Sequence, residues 1–325
     1  MAKHLKCYYI NHGLNFFLND VKICCKELHN SSSGMPLISG IKDFSVEKMI
    51  EKKKLLREML YNNVVPDCCK NCPYIKEYDD EKEPFDSDLS VGLIDINSSV
   101  NCNSRCIYCN RPELMRTFKE NSIYGILKKL KKNNLLKQIN SGYVQYAGGE
   151  PTIMKDFDKI VNFFAKETEI SDFTVHTNGI IYSKKLEFLL NKKNTKIVIS
   201  LDAGTKELFN RIRQVNCYEK VIKNISNYIK ANKNPKSSVR VKYIIIPELN
   251  DNEEEIMKWY NLCLSMGVKV LILDVEASWY QENRCIPEHI ENLIKLIQEN
   301  SKKDNIALDY YESLRNWNPD FVKIV

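Results

Sequence analysis

The chain from residue 89 onward alternates short runs of β-forming residues with longer amphipathic stretches. Runs rich in β-branched and aromatic residues lie at 91–96, 142–147, 173–177, 196–202, 239–246 and 268–274. Between them, apolar residues recur at helical spacing at 122–132, 156–166, 218–231 and 251–266. Helices between successive strands provide the crossovers that parallel strands need. The pattern therefore predicts an α/β fold with a parallel sheet.

Polar segments follow most of these predicted strands. They are CNSRCIYCN at 102–110, GGEP at 148–151, HTNG at 176–179, SLDAGT at 200–205 and LILDVEA at 271–277. Because ligands of parallel sheets collect at the carboxyl ends of the strands, these segments are the first candidates for a site. In the last segment, Asp274 and Glu276 are candidate catalytic or substrate-contacting residues. Helix capping or ion pairing is the alternative role for both.

The chain divides into four predicted segments. A cysteine-rich region at 1–76 is followed by a linker at 77–88, whose sequence EYDDEKEPFDSD is acidic and lacks apolar periodicity. The α/β core is predicted at 89–285, and a C-terminal helical extension at 286–325. The basic stretch KKLKK at 128–132 fits a solvated helix face better than a phosphate-binding patch.

Composition narrows the functional class. The 325 residues carry 48 Lys and Arg against 42 Asp and Glu, a net charge of +6 without a single basic stripe, which argues against nucleic acid as a partner. No run approaches the roughly 18 apolar residues of a membrane span, and the N-terminus lacks a signal-peptide pattern. We expect a cytoplasmic protein with no membrane partner, in which twelve cysteines favour metal or cluster ligation over disulfides.

Three of these cysteines, Cys102, Cys106 and Cys109, lie in one short loop directly after the first predicted core strand. A structural zinc site is closed by four ligands, and this loop offers three. A 4Fe-4S cluster held by three cysteines keeps one iron open for another ligand. The C-x3-C-x2-C spacing resembles the signature of the radical S-adenosylmethionine (radical SAM) superfamily, and the later segments follow in that family's order.

The resemblance implies a partial (β/α)6 TIM-like barrel with a SAM-binding 4Fe-4S cluster on the three loop cysteines. In the family, an electron from the cluster cleaves SAM, and the 5′-deoxyadenosyl radical then abstracts hydrogen from a substrate. An external electron donor such as flavodoxin or ferredoxin is implied as a partner. The residues that match the family's SAM pocket are Tyr108, Gly148, Gly149, Glu150, Pro151, Asn178, Ser200 and Asp202.

The N-terminal region resembles a second element of such enzymes, the SPASM or twitch domain, which carries auxiliary 4Fe-4S clusters. That domain usually follows the barrel, whereas this region precedes it. The candidate ligands are Cys7, Cys24, Cys25, Cys68, Cys69 and Cys72, and four of these six would hold a single auxiliary cluster. A zinc knuckle on the same cysteines is the alternative.

The reaction class follows from the resemblance, but the substrate does not. A small metabolite such as a carbohydrate precursor is slightly favoured over a peptide or protein side chain, and a non-catalytic iron-sulfur or SAM-binding protein is a third hypothesis. His176 fits a hydrogen-bonded core histidine as well as a site residue, so the sequence predicts no role for it. For Arg211 and Arg213, surface ion pairing is as plausible as a functional role. Cys217, Cys263 and Cys285 are expected to be inert thiols.

Overall fold

The computed structural model describes residues 3–24, 37–70, 72, 74–79, 88–109, 121–276, 286–311 and 314. The chain forms two compact units. The first comprises Met1–Asn101 and Thr117–Phe173, and the second comprises Cys102–Arg116 and Thr174–Val325. Strand β8 (Asp172–Thr177) begins in the first unit and continues into the second. No helix within the described ranges is long and apolar enough to cross a membrane.

The first unit contains seven strands and four α-helices in its described part. They are β1 (Lys3–Lys6), α1 (Tyr8–His12), β2 (Gly13–Phe17), β3 (Asp20–Lys22), β4 (Leu37–Gly40), α2 (Val46–Tyr61), β5 (Lys76–Asp79), β6 (Leu93–Asn97), α3 (Tyr124–Lys132), β7 (Tyr143–Tyr146) and α4 (Phe157–Glu167). Five strands follow the order β7-β6-β2-β3-β4, in which β6 is parallel to β7 and β2. Strands β2, β3 and β4 form an antiparallel meander, and β1 pairs with β5 separately.

The cysteine-rich region shares its sheet with the first strand of the predicted core. Strand β2 runs parallel to β6 from the pair Gly13 and Leu93 to the pair Phe17 and Asn97. The predicted linker begins as regular structure, since its first three residues complete β5. The sequence could not reveal this pairing, because it joins strands about 80 residues apart and no local pattern encodes it. A separate N-terminal domain therefore stays a prediction.

The second unit continues from β8 with four further strands and five α-helices in its described part. They are α5 (Lys184–Lys192), β9 (Asn194–Ser200), α6 (Lys206–Arg213), α7 (Tyr218–Ala231), β10 (Ser238–Ile245), α8 (Glu253–Met266), β11 (Val270–Val275), α9 (Glu288–Lys303) and β12 (Ala307–Tyr310). The strand order is β12-β11-β10-β9-β8, with β9 to β12 parallel. The mostly parallel α/β architecture is confirmed, while closure into a barrel stays a prediction.

The two faces of the second unit's strands differ in chemistry. One face is fully buried and apolar, as in Val239, Val241 and Tyr243 of β10. The other face carries the partly buried Arg240 and Lys242 beside buried apolar side chains such as Val198 and Ile272. Because successive side chains of a strand point to opposite faces, the apolar face packs in the core and the other can meet a ligand.

The C-terminal segment differs in part from the predicted helical extension. Helix α9 is present, but the chain then adds β12 parallel to β11, with Ala307 opposite Val270 and Tyr310 opposite Leu273. Leu308 and Tyr310 are buried and alternate with half-buried residues, which is the pattern of a strand with one covered face. Four residues are too few for that period to be distinguished from a helix turn by sequence alone.

Candidate functional site

The loop that carries Cys102, Cys106 and Cys109 is fastened to the end of α6. The backbone N–H of Arg105 donates to the carbonyl of Arg213 at 3.1 Å, and that of Ile107 donates to the carbonyl of Ile212 at 2.9 Å. The last carbonyls of a helix have no partner within the helix, so the loop satisfies acceptors that would otherwise need water. None of these backbone bonds involves a cysteine side chain, and all three thiols stay partly exposed.

Two of the three sulfur atoms face N–H donors. Arg213 Nη1 donates to Cys106 Sγ at 3.2 Å, and Asn178 Nδ2 contacts Cys102 Sγ at 3.6 Å. The Asn178 amide is oriented by its own carbonyl oxygen, which accepts from the backbone N–H of Ile180 at 3.0 Å. N–H donors aimed at sulfur suit the negatively charged sulfurs that ligate an iron-sulfur cluster.

A buried ion pair supports the Cys106 contact. Arg213 Nη2 donates to Asp202 Oδ2, which also accepts from the Tyr108 hydroxyl at 2.8 Å. The other Asp202 oxygen accepts from the backbone N–H of Ile244 at 3.0 Å. Burial alone would lower the pKa of Arg213, but Asp202, Tyr108 and Cys106 together raise it above its ordinary value. The guanidinium is therefore permanently charged beside the loop.

The donor set fits an iron-sulfur cluster better than a single metal ion. Among the described residues, no three His, Cys, Asp or Glu side chains converge tightly enough to hold one ion. In a 4Fe-4S cluster each thiolate binds its own iron, so the three sulfurs need not meet at one point. The buried Nε of Arg213 has no hydrogen-bond partner in the structure, and a group rich in sulfur acceptors suits such a donor.

The GGEP turn, in the first unit, depends on backbone that glycine tolerates best. Gly148 and Gly149 have φ of 75° and 50°, and a Cβ on Gly149 would collide with the Asn101 carbonyl oxygen. That carbonyl accepts from the N–H of Glu150 at 2.7 Å. The buried Glu150 side chain accepts from the N–H and hydroxyl of Thr152, at 3.1 and 2.6 Å, and so caps a short 3-10 helix at Pro151–Ile153.

The polar face of the second unit brings together side chains from three strands and the segment after β12. Lys242 Nζ lies 3.8 Å from Asp274 Oδ2 and 4.8 Å from the centre of the Tyr311 ring. His176 meets the same ring edge-on at 6.1 Å, and burial together with the charge of Lys242 lowers the pKa of His176 to about 3. This histidine is therefore neutral near pH 7.

Beside this group, Arg240 pairs with Asp309 at 3.1 Å. Ser200 lies opposite Lys242 in the register of β9 and β10. Glu276, which follows β11, is buried, and its N–H donates to the carbonyl of Ile245 at 2.9 Å. The predicted residues Asp274 and Ser200 thus share a surface with Arg240, Lys242 and His176, whose roles the sequence did not assign.

The N-terminal cysteines of the described chain gather near one apolar core. Cys7 and Cys69 are 8% and 9% exposed and pack with Ile10, Ile23, Leu56 and Leu60. The Cys7 sulfur accepts from the N–H groups of Tyr9 and Ile10, and burial raises the pKa of its thiol while the neighbouring Cys72 adds to that effect. The N–H of Cys72 donates to the carbonyl of Cys69 at 3.1 Å, which closes a turn between them.

Some of the remaining cysteines lie within the described residues and others do not. Cys24 is partly exposed, Cys25 lies outside the described residues, and so does the side chain of Cys68. Cys263 is fully buried, and burial raises its thiol pKa well above the ordinary value, which agrees with an inert role. Cys285 also lies outside the described residues.

Comparison with known proteins gives one family match and several relatives. The model of the Radical SAM superfamily matches residues 96–260. A GTP 3′,8-cyclase of Clostridium acetobutylicum is 27% identical over 240 residues, which are 72% of this chain and 70% of the relative. A GTP 3′,8-cyclase of Clostridium botulinum strain Okra is 26% identical and covers 68% and 69%.

A solved structure shares the fold. SuiB of Streptococcus suis, bound to its precursor peptide SuiA, superimposes with a TM-score of 0.54 at 15% identity and covers 84% of this chain. This chain spans 56% of the length of SuiB, and at that identity the likeness concerns the fold alone. The family match does not extend to the N-terminal cysteines, so the SPASM or twitch resemblance stays a prediction. The chain, matched over half its length from β6 to α8, belongs to the radical SAM superfamily.

Proposed function

We propose that this radical SAM enzyme cleaves SAM reductively and acts on a small polar metabolite of low net charge. A 4Fe-4S cluster and SAM supply the electron and the hydrogen-abstracting 5′-deoxyadenosyl radical. Cys102, Cys106 and Cys109 would hold the cluster. The observation that carries the first part of the proposal is the pair of N–H donors, from Arg213 and Asn178, aimed at two of the three sulfurs.

The polar face of the second unit supports the second part. Two cations of this face have a carboxylate beside them, Lys242 with Asp274 and Arg240 with Asp309. A triphosphate needs cations whose charge is not already balanced, whereas hydroxyl groups bind well to paired donors and acceptors beside an aromatic ring. The relatives named GTP 3′,8-cyclase support a small metabolite, and this face favours one less anionic than GTP.

The wild-type chain tests the proposal directly. After anaerobic reconstitution with iron and sulfide, and with dithionite as reductant, we expect 5′-deoxyadenosine to form from SAM, measured by chromatography. We expect GTP to leave the rate unchanged, because Lys242 and Arg240 already have the carboxylate partners Asp274 and Asp309. Iron-loaded protein that binds SAM but forms no 5′-deoxyadenosine would favour the non-catalytic alternative, and stimulation by GTP would contradict the low-charge substrate.

Glu150 is the proposed acceptor for the SAM ammonium group. A variant that removes its charge but keeps its hydrogen bonds to Thr152 distinguishes a role in SAM binding from a structural role. In Glu150→Gln the remaining carbonyl can still accept from Thr152, so the cap of the 3-10 helix persists while the charge is lost. A charge-assisted hydrogen bond contributes roughly 1.5–3 kcal/mol, so SAM affinity should fall about ten- to a hundredfold. Equilibrium binding of SAM to the reconstituted variant measures this.

Thr152→Val is the matched control for Glu150. It removes one donor to the carboxylate but keeps the charge, so SAM affinity should change little compared with Glu150→Gln. Iron content should equal that of the wild type in both variants, because neither residue is an iron ligand. Unchanged SAM affinity in Glu150→Gln would leave GGEP with a structural role only.

We also propose a single auxiliary cluster on the N-terminal cysteines. Cys7, Cys69 and Cys72 supply three of its ligands, and Cys24 or one of Cys25 and Cys68 supplies the fourth. What supports this is the packing of Cys7 and Cys69 in one core, with the two N–H donors that the Cys7 sulfur already receives. Hydrogen bonds of this kind are common at sulfurs that ligate iron-sulfur clusters.

A further inference from the structure

We propose that Arg213 is a positioning residue that raises the reduction potential of the loop's cluster. The proposal rests on the proposed function, because it requires the cluster on Cys102, Cys106 and Cys109. Arg213 is the last residue of α6, and its side chain is 6% exposed. Its Nη1 group donates to Cys106 Sγ at 3.2 Å, so the guanidinium contacts one predicted iron ligand directly.

Besides Cys106, two side chains hold this guanidinium in place. Asp202, whose side chain is fully buried, accepts from Nη2, and the face of the Tyr108 ring lies 5.6 Å from the guanidinium carbon. Asp202 is itself held by the Ile244 N–H, and Asn250 donates to the carbonyls of both Asp202 and Ile244 at 2.9 Å. A donor held in this way keeps its contact with sulfur through a change of charge on that sulfur.

The C-terminal end of α6, where Arg213 lies, also holds the cysteine loop through hydrogen bonds. The Arg213 carbonyl accepts from the Arg105 N–H and from the Ser104 hydroxyl, both at 3.1 Å. Ser104 Oγ lies 3.2 Å from Cys106 Sγ as well. One residue therefore fixes the loop backbone through its carbonyl and contacts the Cys106 sulfur through its side chain.

The direction of the effect follows from charge. The reduced cluster carries one more negative charge than the oxidised cluster, so a nearby cation that donates to a ligating sulfur stabilises the reduced state more. In a buried site this interaction is only weakly screened by solvent. Arg213 should therefore make the cluster easier to reduce, and its loss should shift the potential to more negative values.

A matched pair of variants tests this. Arg213→Gln removes the charge, while Arg211→Gln makes the same change at an exposed position two residues earlier on the same helix. The midpoint potential is read from an EPR-monitored redox titration of the reconstituted chain, following the signal that changes when SAM is added. Iron per chain is measured in parallel, so that cluster loss is not mistaken for a shifted potential.

We expect Arg211→Gln to match the wild type in potential and iron content. Arg213→Gln should retain iron but show about a tenfold smaller ratio of reduced to oxidised cluster at a fixed potential, equal to about 59 mV for one electron. Arg213→Lys keeps the charge but cannot contact Cys106 and Asp202 as a planar fork, so a smaller shift in the same direction is expected.

Iron retained at an unshifted potential in Arg213→Gln would overturn the proposal. If that variant lost its iron, the titration of Arg213→Lys would decide, and an unshifted potential there would overturn it too. Loss of iron from both Arg213 variants would mean that the residue serves assembly and not potential, which also contradicts the proposal. Absence of iron from the wild type would instead refute the proposed function.

Discussion

Replacing Cys102, Cys106 and Cys109 together with alanine should abolish 5′-deoxyadenosine formation while the chain remains folded. The three thiols are partly exposed, and the loop is fastened to α6 by backbone hydrogen bonds of Arg105 and Ile107 that need no cysteine side chain. The loss of 5′-deoxyadenosine formation should be complete, because no other residue of the loop can supply a thiolate ligand to this cluster. Chromatography of the SAM reaction and iron analysis measure it.

Cys217→Ala is the matched control for this triple variant. Cys217 lies in the same unit, is partly exposed as the loop cysteines are, and directly precedes α7 without a predicted ligand role. It should leave both SAM cleavage and iron content at wild-type values. Far-UV circular dichroism should show the same helix content in the triple variant, the control and the wild type. Continued SAM cleavage by the triple variant would refute the assignment of the loop.

The sequence predicted the strands and helices of the core more reliably than it predicted which strands pair with each other. All six predicted strands and all four predicted helices occur within a few residues of the expected bounds, for example β10 at Ser238–Ile245 and α7 at Tyr218–Ala231. Local period and residue type encode these elements directly. The pairing of β2 with β6 and the addition of β12 depend on contacts between distant segments, which a local pattern cannot specify.

The burial of Arg213 can be predicted from the spacing of residues in α6. Phe209, Ile212 and Arg213 are spaced by three and four residues, so they share one face of α6, and all three are buried. An arginine on an apolar helix face needs a partner, whereas Arg211 on the opposite face can meet solvent. Helical spacing therefore distinguishes the two arginines, although it cannot identify Asp202 or Cys106 as the partners.

The polar face of the second unit carries a comparable signal. In VRVKYI at 239–244, charged residues alternate with apolar ones in a strand whose apolar positions are fully buried. Two cations inside a predicted core strand imply either counter-charges on neighbouring strands or a ligand. The structure supplies the counter-charges, Asp309 and Asp274, from strands more than 30 residues away in the chain. Sequence alone could not have chosen between these outcomes.

Removal of Cys69 and Cys72 should halve the iron of the reconstituted chain and stop substrate turnover while SAM cleavage continues. If the N-terminal cysteines hold an auxiliary cluster, the wild type should contain about eight irons per chain, about four at each site. The double alanine variant should keep about four, and its cluster should still respond to SAM. The change is confined to the N-terminal region, where Cys69 packs against Cys7 in the apolar core.

The triple alanine variant of the loop, at Cys102, Cys106 and Cys109, provides the complementary test. The triple alanine variant of the loop should also keep about four irons, but its remaining cluster should be indifferent to SAM, because four thiolates leave no open iron. Iron analysis and EPR spectra with and without SAM measure both variants, and metal analysis for zinc accompanies them.

Four irons and one zinc in the wild-type chain, with the zinc lost from the double variant, would replace the auxiliary cluster with a structural zinc knuckle. The buried Cys7 and Cys69 would then stabilise the N-terminal core through that zinc, and the double variant should unfold at a lower temperature without a separate effect on turnover.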